Sequence, residues 1–288
     1  MIIFKKAKQL SEFVNQQIKE GKKVGFVPTM GALHQGHLSL IDTCKKNNDI
    51  TICSIFVNPA QFNNADDLKS YPVTTASDIE KLHDHKCNAL FLPSVDEMYP
   101  NNHTKKIYPL GDIENRLEGY FRPGHFQGVC QAVDRLLQIV QPHNFYLGQK
   151  DLQQCMVVKK LMEVTGRLAT IQLNIVQTVR ENDGLAMSSR NLRLSEEQRK
   201  LANSIFNELN YIKQHLHDQS LQDLKKDGID HLVQKGFKVD YIEIANADDL
   251  SPATSSSGKL VALAAASTGN IRLIDNIILN SNCLHSSF

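Results

Sequence analysis

Two histidines three residues apart, His34 and His37, stand in the stretch PTMGALHQGH at residues 28–37. Side chains at i and i+3 share one face of a helix, so both imidazoles can address one bound group. The stretch follows a short apolar run at 24–27. It precedes Leu38, Leu40, Ile41 and Cys44, whose spacing reads as the buried face of a helix. Strand, glycine-bearing turn and helix together present backbone N–H groups and a helix N-terminus to an anion. A phosphate chain is the guest that such a cradle suits. Two other readings stay open on this stretch alone. Gly31 and Gly36 also fit a simple tight connection, and a histidine pair can ligate zinc, although no nearby cysteine pair or HExxH pattern supplies a third ligand.

The elements that must position these residues alternate between strand and helix. Ile2 and Ile3 open a short strand. A helix from about 6 to 20 then carries Leu10, Phe13, Val14 and Ile18 on one face, with Gly21 as its C-cap. ITICSIFV at 50–57 is apolar and β-branched without alternation, the pattern of a strand buried on both faces of a parallel sheet, and it ends in the loop 58–62. A helix is expected over 77–86 and a short strand over 88–92. After a loop-rich stretch, Val129, Val133, Leu136, Leu137 and Val140 follow helical spacing. A strand over 144–148, with Lys150 and Asp151 immediately after it, a helix over 152–164 and a strand over 171–179 complete the series. Such alternation predicts an α/β sheet with right-handed crossovers, and ligands bind such sheets at the carboxyl ends of the strands. The 28–37 stretch, the 58–62 loop and Lys150 all fall there.

The character changes near residue 180. RENDGLAMSSRN at 180–191 is polar and turn-rich. Ser195 with Gln198 makes a capping box for one long helix whose apolar face holds Leu201, Ile205, Leu209 and Ile212. A second helix over 221–234 and strands over 237–245, 259–265 and 271–279 lack the regular alternation of the first part. The organisation expected is an α/β domain over 1–178 and a smaller α+β domain over 179–288.

Lysine and arginine number 32 against 31 aspartates and glutamates, a net charge of +1, so the basic excess of a nucleic-acid binder is missing. The six cysteines (44, 53, 87, 130, 155 and 283) are scattered, several within apolar runs, which suits buried free thiols in a reducing compartment. No signal-peptide region opens the sequence and no apolar run approaches a membrane span, so a soluble cytoplasmic protein without a membrane partner is expected. His83, His85, His215 and His217 read as surface residues on helices. His125 reads as a structural histidine of its loop.

Five blocks can be taken together: PTMGALHQGH, FVNPAQF at 56–62, RPGHFQGV at 122–129, YLGQKDLQQ at 146–154 and DGLAMSSRN at 183–191. In order, separation and total length they closely resemble the pantothenate synthetase (pantoate–β-alanine ligase) family of the nucleotidyltransferase superfamily. The superfamily's HxGH-type signature corresponds here to His34-Gln35-Gly36-His37. The resemblance covers essentially the whole chain. It implies a Rossmann-like parallel-sheet nucleotidyltransferase core, similar to class I aminoacyl-tRNA synthetases, with a smaller α+β C-terminal lid domain. It also implies ATP-dependent condensation of (R)-pantoate with β-alanine to pantothenate, AMP and pyrophosphate through pantoyl adenylate, in coenzyme A biosynthesis. Mg²⁺ and a homodimer assembled through the N-terminal domain are implied as well.

The same resemblance implies residue roles. His34 and His37 would donate to ATP phosphates, with His37 principal in adenylate formation. Lys150 would supply a point charge, and Ser188, Ser189 and Arg190, with Met187 before them, would hold the triphosphate. Gly31, Gly148, Gln149, Asp151 and Val179 would line the nucleotide. Asp151 would orient Lys150 or hold a ribose or Mg²⁺ contact, and it reads equally as the N-cap of the helix over 152–164. Met30, Gln61 and Gln154 would meet pantoate, and Met30 would line the nucleotide as well. Metal ligands are not assigned. The rival readings are a nucleotidyltransferase that leaves AMP on a small cofactor precursor, a tRNA-binding relative of class I synthetases, and a catalytically dead nucleotide-binding scaffold.

Overall fold

The computed structural model describes residues 1–63, 65–100 and 105–280. Cys283 lies outside the described residues. The chain forms two compact units, one of Met1–Gln149 with Gln154–Gln177 and one of Lys150–Gln153 with Thr178 onward.

The first unit alternates strands and helices. In order these are β1 (Ile2–Phe4), α1 (Ala7–Lys19), β2 (Val24–Thr29), α2 (Gln35–Asn47), β3 (Ile50–Ile55), α3 (Ala65–Lys69) and α4 (Thr75–Asp84). Next come β4 (Ala89–Phe91), α5 (Val95–Met98), α6 (Glu118–Phe121), α7 (His125–Val140), β5 (Asn144–Gly148), α8 (Leu152–Val164) and β6 (Gln172–Val176). The six strands form one parallel sheet in the order β1-β4-β3-β2-β5-β6. Every residue of β3 is buried, as its unalternating apolar sequence requires of a strand covered on both faces. Phe26 of β2 and Phe145 of β5 stack with centroids 5.7 Å apart at the centre of the core.

Register explains where this unit opens. β2 pairs with β3 along six residues, Val24 to Thr29, but with β5 only at Gly25 and Phe26. Beyond Phe26 the two strands part, and Tyr146–Gly148 pair with β6 alone. Pro28, which has no N–H to give, falls in the half of β2 that is paired on one side only. The chain order also reverses between β2 and β5, the kind of switch point outside whose carboxyl ends open α/β sheets bind ligands.

The second unit contains α9 (Glu196–Ala202), α10 (Ser204–Gln214) and α11 (Leu221–Gln234), then β7 (Lys238–Asn246), β8 (Leu260–Thr268) and β9 (Ile271–Ile278). The three strands form an antiparallel sheet in the order β7-β8-β9. Ser195 and Gln198 close the capping box expected of them. The single long helix expected after it is corrected to two. Asn203 ends α9 and begins α10, with its side chain turned to the Asp183 carbonyl at 3.4 Å. Asparagine is a weak helix former, and this bond to a carbonyl 20 residues earlier in the chain holds its side chain at the junction.

Candidate active site

The turn after β2 is built from two consecutive left-handed residues, Gly31 at φ +84° and Ala32 at φ +49°. Thr29 Oγ1 donates to the Ser54 carbonyl and accepts from Gly31 N–H, which anchors the turn to β3. The next two amides bond a protein carboxylate: Ala32 N–H to Asp78 Oδ2 at 2.9 Å and Leu33 N–H to Asp78 Oδ1 at 2.8 Å. This corrects the expectation that the turn's own N–H groups cradle an anion. Asp78 comes from α4, far along the chain, and no local pattern announces it.

The donors beyond the turn belong to the start of α2. His34 is its N-cap, and His34 Nδ1 accepts from Gly36 N–H at 3.1 Å. His37 Nδ1 accepts in return from His34 N–H at 3.4 Å. Two histidines thus form the reciprocal cap that serine and glutamate usually make. A ring nitrogen that accepts carries no proton, so each neutral imidazole holds its proton on Nε2. The two rings lie 4.0 Å apart, tilted by 36°. The structure therefore brings His34 and His37 together as adjacent N–H donors at a helix N-terminus, where anions are favoured.

Met30 and Gln61 are also brought together. Gln61 ends the 3₁₀ turn Pro59–Gln61 after β3, and its Nε2 stands 2.9 Å from Met30 Sδ. Its Oε1 accepts from Asn58 Nδ2 at 3.0 Å. Asn58, 1% exposed, also donates to the Gly128 carbonyl and accepts from Ala60 N–H and the Tyr99 hydroxyl. His125 is buried, and its Nδ1 donates to the Gln61 carbonyl at 2.7 Å. Its Nε2 faces Arg122 Nη1 at 3.1 Å. It thereby carries the opposite tautomer to His34 and His37 and bolts down the turn. Asn58 and Tyr99 were missing from the residues singled out by sequence. Asn58 lay inside a recognised block, but Tyr99 gave no signal. Met30, Gly31 and Ala32 additionally wall a cavity of about 260 Å³ that Phe56, Val57 and Leu92 help to enclose.

Gly128 on α7 lets the helix approach this turn. A Cβ there would stand 2.0 Å from the Ala60 carbonyl oxygen and 2.7 Å from Gln61 N. Neither is a side chain that can swing away. Gly128→Ala is therefore expected to destabilise the fold by about 1–3 kcal/mol. Urea titration checks this as a lower midpoint, and an unchanged midpoint would contradict the close approach.

In the second unit, Lys150 lies in the 3₁₀ turn Gln149–Asp151, into which β5 runs directly. Its side chain is only 17% exposed, unlike a solvated loop lysine, and Nζ lies 3.7 Å from Asp151 Oδ1. Its carbonyl accepts from Asn276 Nδ2 of β9 at 2.9 Å. Asp151 ends the turn and α8 follows at once. Gly148 ends β5, and a Cβ there would meet no protein atom within 4 Å. Gln154 is half-buried in the first turn of α8.

The 180–191 segment is folded back on itself. Met187 N–H bonds the Val179 carbonyl at 3.0 Å, and Arg180 bridges to Ala186. Arg199 of α9 grips Asp183 and Glu181 at 2.6 Å each, and its guanidinium holds the Asp183 carboxyl below the usual range. Arg180 in turn makes a two-pronged bond with buried Asp275 and lies 4.1 Å from the Phe206 ring centroid. Ser188 Oγ accepts from Arg190 N–H at 3.3 Å and so caps the 3₁₀ turn Ser189–Arg193, while Ser189 is buried. The structure places Val179, Met187, Ser188 and Arg190 in one clamped segment.

Among the described residues, no group of three or more histidine, cysteine, aspartate or glutamate side chains gathers as a metal site, so the zinc reading of His34 and His37 finds no third ligand. No helix among the described residues is long and apolar enough to cross a membrane. Two of the supposed surface histidines are engaged: His85 Nδ1 meets Asp42 at 2.9 Å, and His215 stacks on Tyr211 with centroids 4.0 Å apart.

Comparison with known proteins bears on the whole chain. The family model described as Pantoate-beta-alanine ligase matches residues 2–278. The pantothenate synthetase of Stutzerimonas stutzeri is 41% identical over 97% of this chain and 98% of its own length. That of Fervidobacterium nodosum is 38% identical over 94% and 97%. Among solved structures, pantothenate synthetase from Thermus thermophilus superposes with a TM-score of 0.91 at 35% identity, over 97% of this chain and 99% of that one. The pantoate-beta-alanine ligase of Francisella tularensis, solved with β,γ ATP and β-alanine, gives 0.83 at 38% identity, over 96% and 97%.

Proposed function

The chain belongs to the pantoate–β-alanine ligase family, and from that premise we propose how its residues share the work. The reaction is the ATP-dependent condensation of pantoate with β-alanine, with ATP as co-substrate. A carboxylate is a poor electrophile in water and must be activated first. In the proposed route a pantoate carboxylate oxygen attacks the α-phosphorus of ATP. The bond to the bridging oxygen breaks, and pyrophosphate leaves with that electron pair. The β-alanine amine then attacks the carbonyl carbon of pantoyl adenylate, the C–O bond to phosphate breaks, AMP leaves, and the amine's proton passes to solvent.

The first step crowds negative charge onto phosphate oxygens, so fixed donors and cations should dominate catalysis. The observation that carries the reading is the pair of Nε2–H donors that the reciprocal cap fixes on His34 and His37. In this proposal both donate to ATP phosphates, His37 principally. Lys150 supplies a point charge, and Ser188, Ser189 and Arg190 hold the triphosphate with Met187 beside them. Gly31, Gly148, Gln149, Asp151 and Val179 attend the nucleotide. Met30, Gln61 and Gln154 bind pantoate. An amide both donates and accepts, which suits a molecule with two hydroxyls and a carboxylate.

Mg²⁺ is proposed to enter with ATP. The lack of a protein-only ligand cluster among the described residues accords with an ion held largely by phosphates, for which Asp151 offers one carboxylate. A homodimer is proposed through the first unit, supported by the exposed Ile2 and Ile3 on β1, the sheet's edge strand. A cytoplasmic setting is supported by the five described cysteines, all buried and none of them in a disulfide.

Mass analysis of products from ATP, Mg²⁺ and pantoate, with and without β-alanine, tests the route. Pantoyl adenylate and pyrophosphate without the amine, and pantothenate with AMP when it is added, are expected. A stable adenylylated product indifferent to β-alanine would instead favour a simple nucleotidyltransferase.

A further inference from the structure

We propose that Asp78 and Lys81 of α4 are positioning residues for the histidine pair. The proposal rests on the roles given above to His34 and His37. Asp78 is 1% exposed and its two oxygens are fully engaged: Oδ2 takes the Ala32 N–H, and Oδ1 takes the Leu33 N–H and the Thr74 hydroxyl. Those bonds hold a turn that the backbone resists, because Ala32, an L-residue with a Cβ, stands in the left-handed region at φ +49°. The carboxylate satisfies the amides only while the turn keeps that shape.

Lys81 lies one turn further along the same face of α4. Its Nζ donates to the Leu33 carbonyl at 2.7 Å. The Leu33 carbonyl and the His34 N–H belong to one planar peptide group. That same N–H is the donor to His37 Nδ1. A lysine on α4 thus sets the plane of the peptide that determines which nitrogen of His37 keeps the proton. Asp78 holds the two preceding peptides, through the Ala32 and Leu33 N–H groups, and Lys81 holds this one. Neither side chain needs to touch substrate to act; their effect passes through the amides of residues 32–34.

The test uses the full-length protein in three variants. Asp78→Asn preserves size but sets an NH₂ group against an N–H donor of the turn. Lys81→Met removes the carbonyl's partner and keeps the apolar stem. His37→Ala is run beside them. For folded Asp78→Asn, kcat for pantoate-dependent ATP–pyrophosphate exchange is expected to fall about tenfold or more, the cost typical of losing a group that orients a reactive side chain. The KM for β-alanine in the full reaction should stay at the wild-type value. Imidazole ¹⁵N spectra should show the Nδ1 and Nε2 signals of His34 and His37 moving while those of His125 stay. Lys81→Met should move the same two histidines and lower kcat, and it decides the matter if Asp78→Asn does not fold. Wild-type kcat with unmoved His34 and His37 signals in either folded variant would overturn the proposal. Full activity in His37→Ala would instead overturn the histidine roles beneath it.

Discussion

Replacing Lys150 by alanine is expected to lower kcat for adenylate formation about 10³-fold, the upper end of what loss of one fixed donor to developing charge costs. The effect should be large because an ammonium held away from bulk water acts on phosphate oxygens through a low effective dielectric. With 17% of the side chain exposed, Lys150 is placed to act in that way. The carboxylate beside it, Asp151, stands at 3.7 Å, too long for a tight neutralising bond. The variant should still fold. Asn276 fastens the turn through the Lys150 carbonyl, which alanine keeps, so the urea midpoint should stay near wild type. Single-turnover pyrophosphate release measures the loss directly. Lys150→Arg should recover only part of the rate, because a broad planar guanidinium does not reproduce a compact point charge. An alanine variant that releases pyrophosphate at the wild-type rate would remove Lys150 from the chemistry.

Much of the framework was legible because it depends on local periodicity. ITICSIFV reads as a strand covered on both faces and is one, and the segments 144–148, 152–164 and 221–234 have the bounds their patterns suggest. The meeting of His34 with His37 was legible from their spacing, although His34 stands just outside α2 as its extended N-cap, so the reciprocal cap and not a shared helical face brings the rings together. What spacing does not carry is the partner that arrives from elsewhere. Asp78 reaches the turn from 46 residues beyond Ala32, and it takes amides that local reasoning had left for an anion. Tyr99 reaches Asn58 from 41 residues away. The tautomer of His125 depends on such a contact, with the Gln61 carbonyl 64 residues away, whereas those of His34 and His37 depend on the cap bonds beside them, and residue type alone assigns none of the three. The break at Asn203 is a different failure: the hydrophobic period continues through it, while the Asn203 N–H turns to the Leu201 carbonyl and its side chain to that of Asp183.

Those tautomers yield the second large effect. Removing the His37 ring with alanine is expected to cost about 10²- to 10³-fold in kcat, the range for loss of one donor to a charged transition state. The two amide replacements should then separate. Asparagine places its polar atoms near the Nδ1 position, where they can still serve the cap with His34 N–H but do not reach out as Nε2 does. Glutamine carries its amide near the Nε2 position and can supply the outward N–H. If His37 acts as a neutral donor through Nε2, His37→Gln should retain more activity than His37→Asn, and His37→Asn should fall near alanine despite its better cap. If His37 instead acts by giving up a proton, both amides fail alike, since neither can lose one near neutral pH. Equal and complete loss in both amide variants, with unchanged urea midpoints, would refute neutral donation and require proton transfer from the ring.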